Sequence, residues 1–304
     1  MPRLRSALLA LLLCVIPAQL HAQDRLPERR ELFLALNAVV SGVYAAVGAA
    51  TRDDGNVLAA FAQGAVGGAV TWSGQRLIGD GRPAFRLPGV QVAALGANLT
   101  RNAARGVPAF SDLILPVYPV YLRIRPGAED PFSVRVSGLA VASLAWASLG
   151  ADRFRADLDW RESLFTGGPV FRSTVSHLYP SGPLPSASCF NGNGCDDAVA
   201  GIHWLGTSIY TTGGRSEAAS RRIIAHETIH LTQVHRDAIL FGVPASDALF
   251  AHMEGPFAWI GEVFVIDAFL PMTGLNHALA CTLPHHGGES WRLYEFEARA
   301  HAGR

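Results

Sequence analysis

The chain has 304 residues, 49% of them hydrophobic, with 25 acidic residues balanced by 25 basic ones, all of which are Arg. That length and apolar content exclude a disordered chain and allow one large domain or two modest ones. A neutral balance with scattered Arg also excludes the electrostatic footprint of a nucleic-acid binder, and it gives no polybasic membrane patch.

In chain order, the first predicted element is a secretory signal peptide over residues 1–22. Arg3 and Arg5 precede an apolar run from Ala7 to Ile16 and a small-residue exit at Ala22. The mature protein is therefore expected to be periplasmic or secreted. Residues 23–106 read as an apolar helical segment rich in Gly and Ala. One helix runs from Glu31 to Ala50, a second from Asn56 to Ile78 and a third from Gln91 to Ala104. Gly64, Gly67 and Gly68 would let the first two approach closely. Asn37, Ser41 and Gln63 interrupt the apolar runs and favour a buried hairpin. The alternative is membrane association through residues 31–78.

Residues 107–304 change character. Leu113 to Leu115, Val117 to Ile124, Phe132 to Val136 and Phe154 to Trp160 are β-rich or alternate, which predicts a mostly antiparallel sheet. A Gly/Pro/Ser-rich loop follows, and in an oxidising compartment Cys189 and Cys195 are candidates for a small disulfide that leaves Cys281 over. Gly201 to Tyr210 reads as one more strand. Ser216 then caps a helix running from Glu217 to about His235. The fold class expected is α+β: N-terminal apolar helices, a mostly antiparallel sheet and a C-terminal helical core.

That capped helix carries the chemistry. His226, Glu227 and His230 form H-E-x-x-H. Imidazoles four residues apart lie one turn apart on one face, so two nitrogens can converge on one Zn2+ ion. Glu227, one residue after the first His, can take a proton from a metal-activated water.

Residues 223–231 resemble the active-site helix of the zincin metallopeptidases. The metzincin branch has Gly and His where Gln233 and Arg236 stand here, and His235 is one residue early, so the resemblance points to a gluzincin-like site with a downstream Glu as third ligand. The segment Tyr294 to Ala302 is similar to the E-x-x-A helix of integral-membrane and regulatory zincins, which implies Glu295. The segment Trp259 to Phe264 instead resembles the W-x-x-E segment of aminopeptidase-like gluzincins, which implies Glu262 with Asp267 in support. Glu297 and His252 are further alternatives. Residues 23–200 resemble no characterised family.

Other residues with an expected role are fewer. His285 and His286, in a Pro/Gly-bounded loop, are candidates for transition-state stabilisation, and Tyr210 and Tyr294 are further candidates. His177, His203, His277 and His301 read as ordinary structural histidines. The resemblance implies a zinc metallopeptidase that hydrolyses peptide or protein substrates, with the strand at 201–210 as an edge for an extended chain. Rival readings are a non-enzymatic or degenerate zinc-binding envelope protein and a zinc hydrolase of a non-peptide bond.

Overall fold

The computed structural model describes residues 30–52, 55–138, 140, 141, 145, 156–173, 201–204, 208–211, 215–252, 254, 255, 258–265, 297, 298 and 300–302. The signal-peptide segment 1–22 lies outside them. So do Cys189, Cys195, Cys281, Asp267, His177, His277, His285, His286, Tyr294 and Glu295.

Three long helices open the fold: α1 (Arg30–Ala50), α2 (Val57–Gly79) and α3 (Pro83–Arg105). Their contact depends on small residues. A Cβ on Gly68 would collide with the Asn37 carbonyl oxygen, and one on Gly96 would collide with the Gly67 carbonyl and Thr71, so backbones touch where these glycines stand. Helix α1 is long and apolar enough to cross a membrane by length and composition. In this fold it buries Phe33, Asn37, Val43, Ala45, Ala46 and Ala49 against its neighbours.

The third helix starts eight residues earlier than the apolar pattern predicts, at Pro83 rather than Gln91. Pro83 occupies the first turn, where a missing N–H costs nothing, and Pro88 is tolerated five residues on. Gly106, at φ +68°, ends the helix in the left-handed conformation.

Two four-stranded sheets follow. The first has the order β1-β2-β3-β8, from β1 (Leu113–Val117), β2 (Val120–Ile124), β3 (Phe132–Ser137) and β8 (Phe264–Val265). The second has the order β4-β5-β7-β6, from β4 (Ala156–Leu158), β5 (Val170–Ser173), β6 (Gly201–Trp204) and β7 (Ser208–Thr211). Pairing is antiparallel except for β3 with β8 and β5 with β7. At this level the chain is a mixed helix-and-sheet protein, compatible with the expected α+β class.

Other predicted elements differ in extent. The alternation at 154–160 yields the short β4, after which Asp159 accepts the Glu162 N–H at 3.1 Å and starts helix α4 (Trp160–Thr166). Local capping overrides alternation there. Gly201 to Tyr210 is not one strand but the two antiparallel strands β6 and β7. The W-x-x-E segment forms α7 (Ala258–Val263), after which Phe264 and Val265 pair with β3, where an available sheet edge favours extension.

Helix α3 is the centre of the fold. Its Ala94 and Ala97 pack with Ile114, Tyr121, Ile239 and Val243. Its amides cover the open edge of β1: Asn98 accepts from the Ile114 N–H and donates to the Ile114 carbonyl, both at 2.8 Å. Gln91 donates to the Pro116 carbonyl at 2.7 Å. An edge strand is thereby satisfied by side chains instead of another strand.

Beside it lies a buried ion cluster. Arg123 grips Asp112 through two bonds of 2.8 and 2.7 Å, and Arg101 approaches the same carboxylate at 3.2 Å. Burial alone would raise the Asp112 carboxyl, but the bond from Arg123 and the charges of Arg101 and Arg123 outweigh it and hold it well below the ordinary range.

Candidate metal site

The site is built on helix α5 (Glu217–Asp237). Ser216 accepts the Ala219 N–H at 3.2 Å and fixes its start. Ile224 then packs on Val170 and Ile209 of the second sheet. Ala225 and Ile229 pack with Ile78 of α2, Val90 of α3 and the C-terminal Ala298 and Ala302. With those faces buried, the half-buried stripe of His226 and His230 is oriented by the fold. A π-helical turn, Ala238–Gly242, and helix α6 (Val243–Phe250) continue the chain beyond it.

The two imidazoles converge. Nε2 of His226 and Nε2 of His230 are 3.2 Å apart, with the rings nearly perpendicular at 80°. Two nitrogens bound to one tetrahedral zinc at roughly 2.0–2.1 Å stand about 3.3–3.4 Å apart, so this separation needs almost no adjustment to admit the ion. Glu227, the next residue along the helix, is 6% exposed.

Behind His230 runs a chain of polar contacts. Nδ1 of His230 lies 2.8 Å from Oε1 of Gln233, and Nε2 of Gln233 donates to Oε2 of Glu297 at 2.7 Å. The other Glu297 oxygen accepts from Nδ2 of Asn37 on α1 at 2.6 Å. Glu297 is buried, which alone would raise its carboxyl. The positive charges of Arg236 and His301, with the Asn37 and Gln233 donors, more than offset that and hold it below its ordinary value, so it is ionised.

His235 turns the other way. Its Nδ1 meets the Tyr121 hydroxyl at 3.1 Å inside the core, and burial pushes its pKa down to about 4. Five residues past His230 is about 140° around the helix, so it cannot join the pair.

The carboxylates named from sequence separate clearly. Glu262 is exposed on α7, which packs on α6, β3 and β8. Among the described residues no group of three or more His, Cys, Asp or Glu side chains gathers to hold a metal ion. The W-x-x-E segment forms the six-residue α7, and Phe264 and Val265 beyond it pair with β3 of the first sheet. His203 and Tyr210 fall on β6 and β7, and His301 is buried near Trp72, with ring centroids 5.8 Å apart.

Sequence reading named Glu297 only as an alternative ligand and missed its contacts with Gln233 and Asn37. The signals were present: Gln233 lies three residues after His230, on the same helix face, and Asn37 is a polar residue in an otherwise apolar run. No protein-family model, curated protein or solved structure matches the chain.

Proposed function

We propose that the protein is an exported zinc-dependent hydrolase of the zincin type, with peptide bonds as its substrate class. The observation that carries this reading is the 3.2 Å convergence of the His226 and His230 nitrogens on the helix that bears Glu227. His226 and His230 would hold the ion, with Glu295 as the proposed third ligand. Bound zinc would supply a Lewis acid and an acidified water. Glu227 accepts the proton of the attacking water and returns it to the leaving amine nitrogen, a role suited to a carboxylate fixed one residue from the first imidazole. Its burial keeps bulk water from competing for that proton. The leader-like residues 1–22 support export.

Two measurements test this. Elemental analysis of mature protein refolded without chelator is expected to give about one zinc per chain. Less than about a tenth of an equivalent, with no uptake on titration, refutes the metalloprotein reading in favour of a structural histidine pair. The Glu227→Gln variant is expected to keep the metal and lose cleavage of a peptide library, since an amide fills the same space but takes no proton. Cleavage by that variant at near the parent rate would refute the role of Glu227.

A further inference from the structure

We infer that Glu297, acting through Gln233, is a positioning residue that locks His230 in the tautomer able to bind a metal, and that Asn37 ties this lock to the N-terminal helix. The inference rests on the zinc reading for its purpose, but the lock itself is a property of the metal-free protein.

The argument follows the donors. Gln233 turns its NH2 group toward Glu297, with Nε2 donating to Oε2 at 2.7 Å. That turns its carbonyl oxygen toward His230, and an oxygen can only accept. The proton of His230 therefore sits on Nδ1, and Nε2 presents its lone pair toward His226. A metal ligand needs that tautomer.

The chain ends on a carboxyl group that accepts from both amides and enters from a segment 67 positions beyond His230 in sequence. Arg236 stands 3.8 Å from the Glu297 carboxylate, and the two amide donors lie closer, at 2.6 and 2.7 Å. Asn37 in turn donates to the Phe33 carbonyl of its own helix at 3.0 Å, so its amide is fixed from both sides. A helix with the length and composition of a membrane span thus contributes a polar group to the support of the site.

The test uses the mature full-length protein with 15N-labelled histidine. Long-range 1H–15N spectra of the zinc-free parent are expected to show His230 Nδ1 protonated and Nε2 bare. Gln233→Met and Glu297→Gln are expected to mix the tautomers and weaken zinc binding by roughly 10–100-fold in competition with a chromophoric chelator. The exchanged pair Gln233→Glu with Glu297→Gln rebuilds the chain: the new carboxylate accepts from His230, and the new amide donates to it while accepting from Asn37. It is expected to restore the single tautomer and bring zinc affinity back to within about threefold of the parent. Circular dichroism and thermal melts confirm that each variant is folded.

If both single variants keep the parent tautomer and affinity, the lock does not exist. If Glu297→Gln weakens zinc by more than about a thousandfold with the His230 tautomer unchanged, Glu297 is itself a ligand and the positioning role is wrong. If the parent takes up no zinc yet both single variants scramble the tautomer, the lock stands and the zinc reading of the site falls.

Discussion

Replacing His235 with glutamine tests whether a histidine so near the H-E-x-x-H motif belongs to the core or to the metal. Folded His235 has a pKa near 4 against 6.5 for the free side chain, because burial excludes the charged ring. As pH falls below 6.5 the unfolded chain takes up a proton that the folded chain refuses until about 4. The unfolded state therefore binds more protons, and stability must fall with decreasing pH across that window. At about 1.4 kcal/mol per pH unit, the interval from 6.5 to about 4 corresponds to about 3 kcal/mol. The glutamine of the His235→Gln variant has no such proton, yet it can still meet the Tyr121 hydroxyl. Urea unfolding of zinc-free parent and variant at pH 4, 5, 6 and 7 is expected to show a shallower decline for the variant, with the two curves differing by about 3 kcal/mol in slope-integrated stability. Zinc stoichiometry at pH 7 is expected to be the same in both. Parallel stability curves between pH 4 and 6.5, or loss of zinc from the variant, would refute the assignment of His235 to the core.

Four further outcomes are expected. Asp112→Asn is expected to cost about 3–5 kcal/mol in denaturant unfolding, since Arg101 and Arg123 would remain buried without their shared carboxylate; a loss under about 1 kcal/mol would show that the cluster adds nothing. Because the Asp112 carboxyl is depressed in the fold, its contribution is present above the unfolded carboxyl pKa near 4 and drains away on acidification, so Asp112→Asn should flatten the stability curve below about pH 4. Gly68→Ala is expected to cost about 1–3 kcal/mol by forcing α2 off the Asn37 carbonyl, and, since Asn37 holds Glu297, to weaken zinc binding measurably in the same chelator assay. For the third ligand, Glu295→Ala is expected to weaken zinc far more than Glu262→Ala, which should leave affinity within about twofold because Glu262 is exposed on α7; the reverse order would select the W-x-x-E reading and refute Glu295.

Local chemistry made much of this legible in the sequence. The pairing of His226 with His230 needs only a helix, and Ser216, the periodic Ile224, Ile229 and Leu231, and Glu217 in the first turn are local instructions for one. The same holds for α1 and α2, whose apolar runs and glycines predict close packing, whereas the turn at Tyr118 and Pro119 splits the expected strand Val117 to Ile124 and gives Val117 to β1. What local patterns could not supply were outcomes of competition between distant parts. Phe264 and Val265 pair with β3 instead of continuing helix α7, because a strand more than 120 positions away offers an edge.

The support of His230 lies furthest from the sequence. Asn37, Gln233 and Glu297 are 260 positions apart at their extremes, and no spacing rule joins them. Sequence alone determined that two imidazoles and a carboxylate share one helix, since helical geometry fixes neighbours at three and four residues. Only the tertiary structure decided that Glu262 faces solvent on another element, that His235 faces Tyr121, and that a buried negative charge stands behind Gln233. A buried charge must find its donors wherever the packed chain brings them, and that placement is a property of the whole fold.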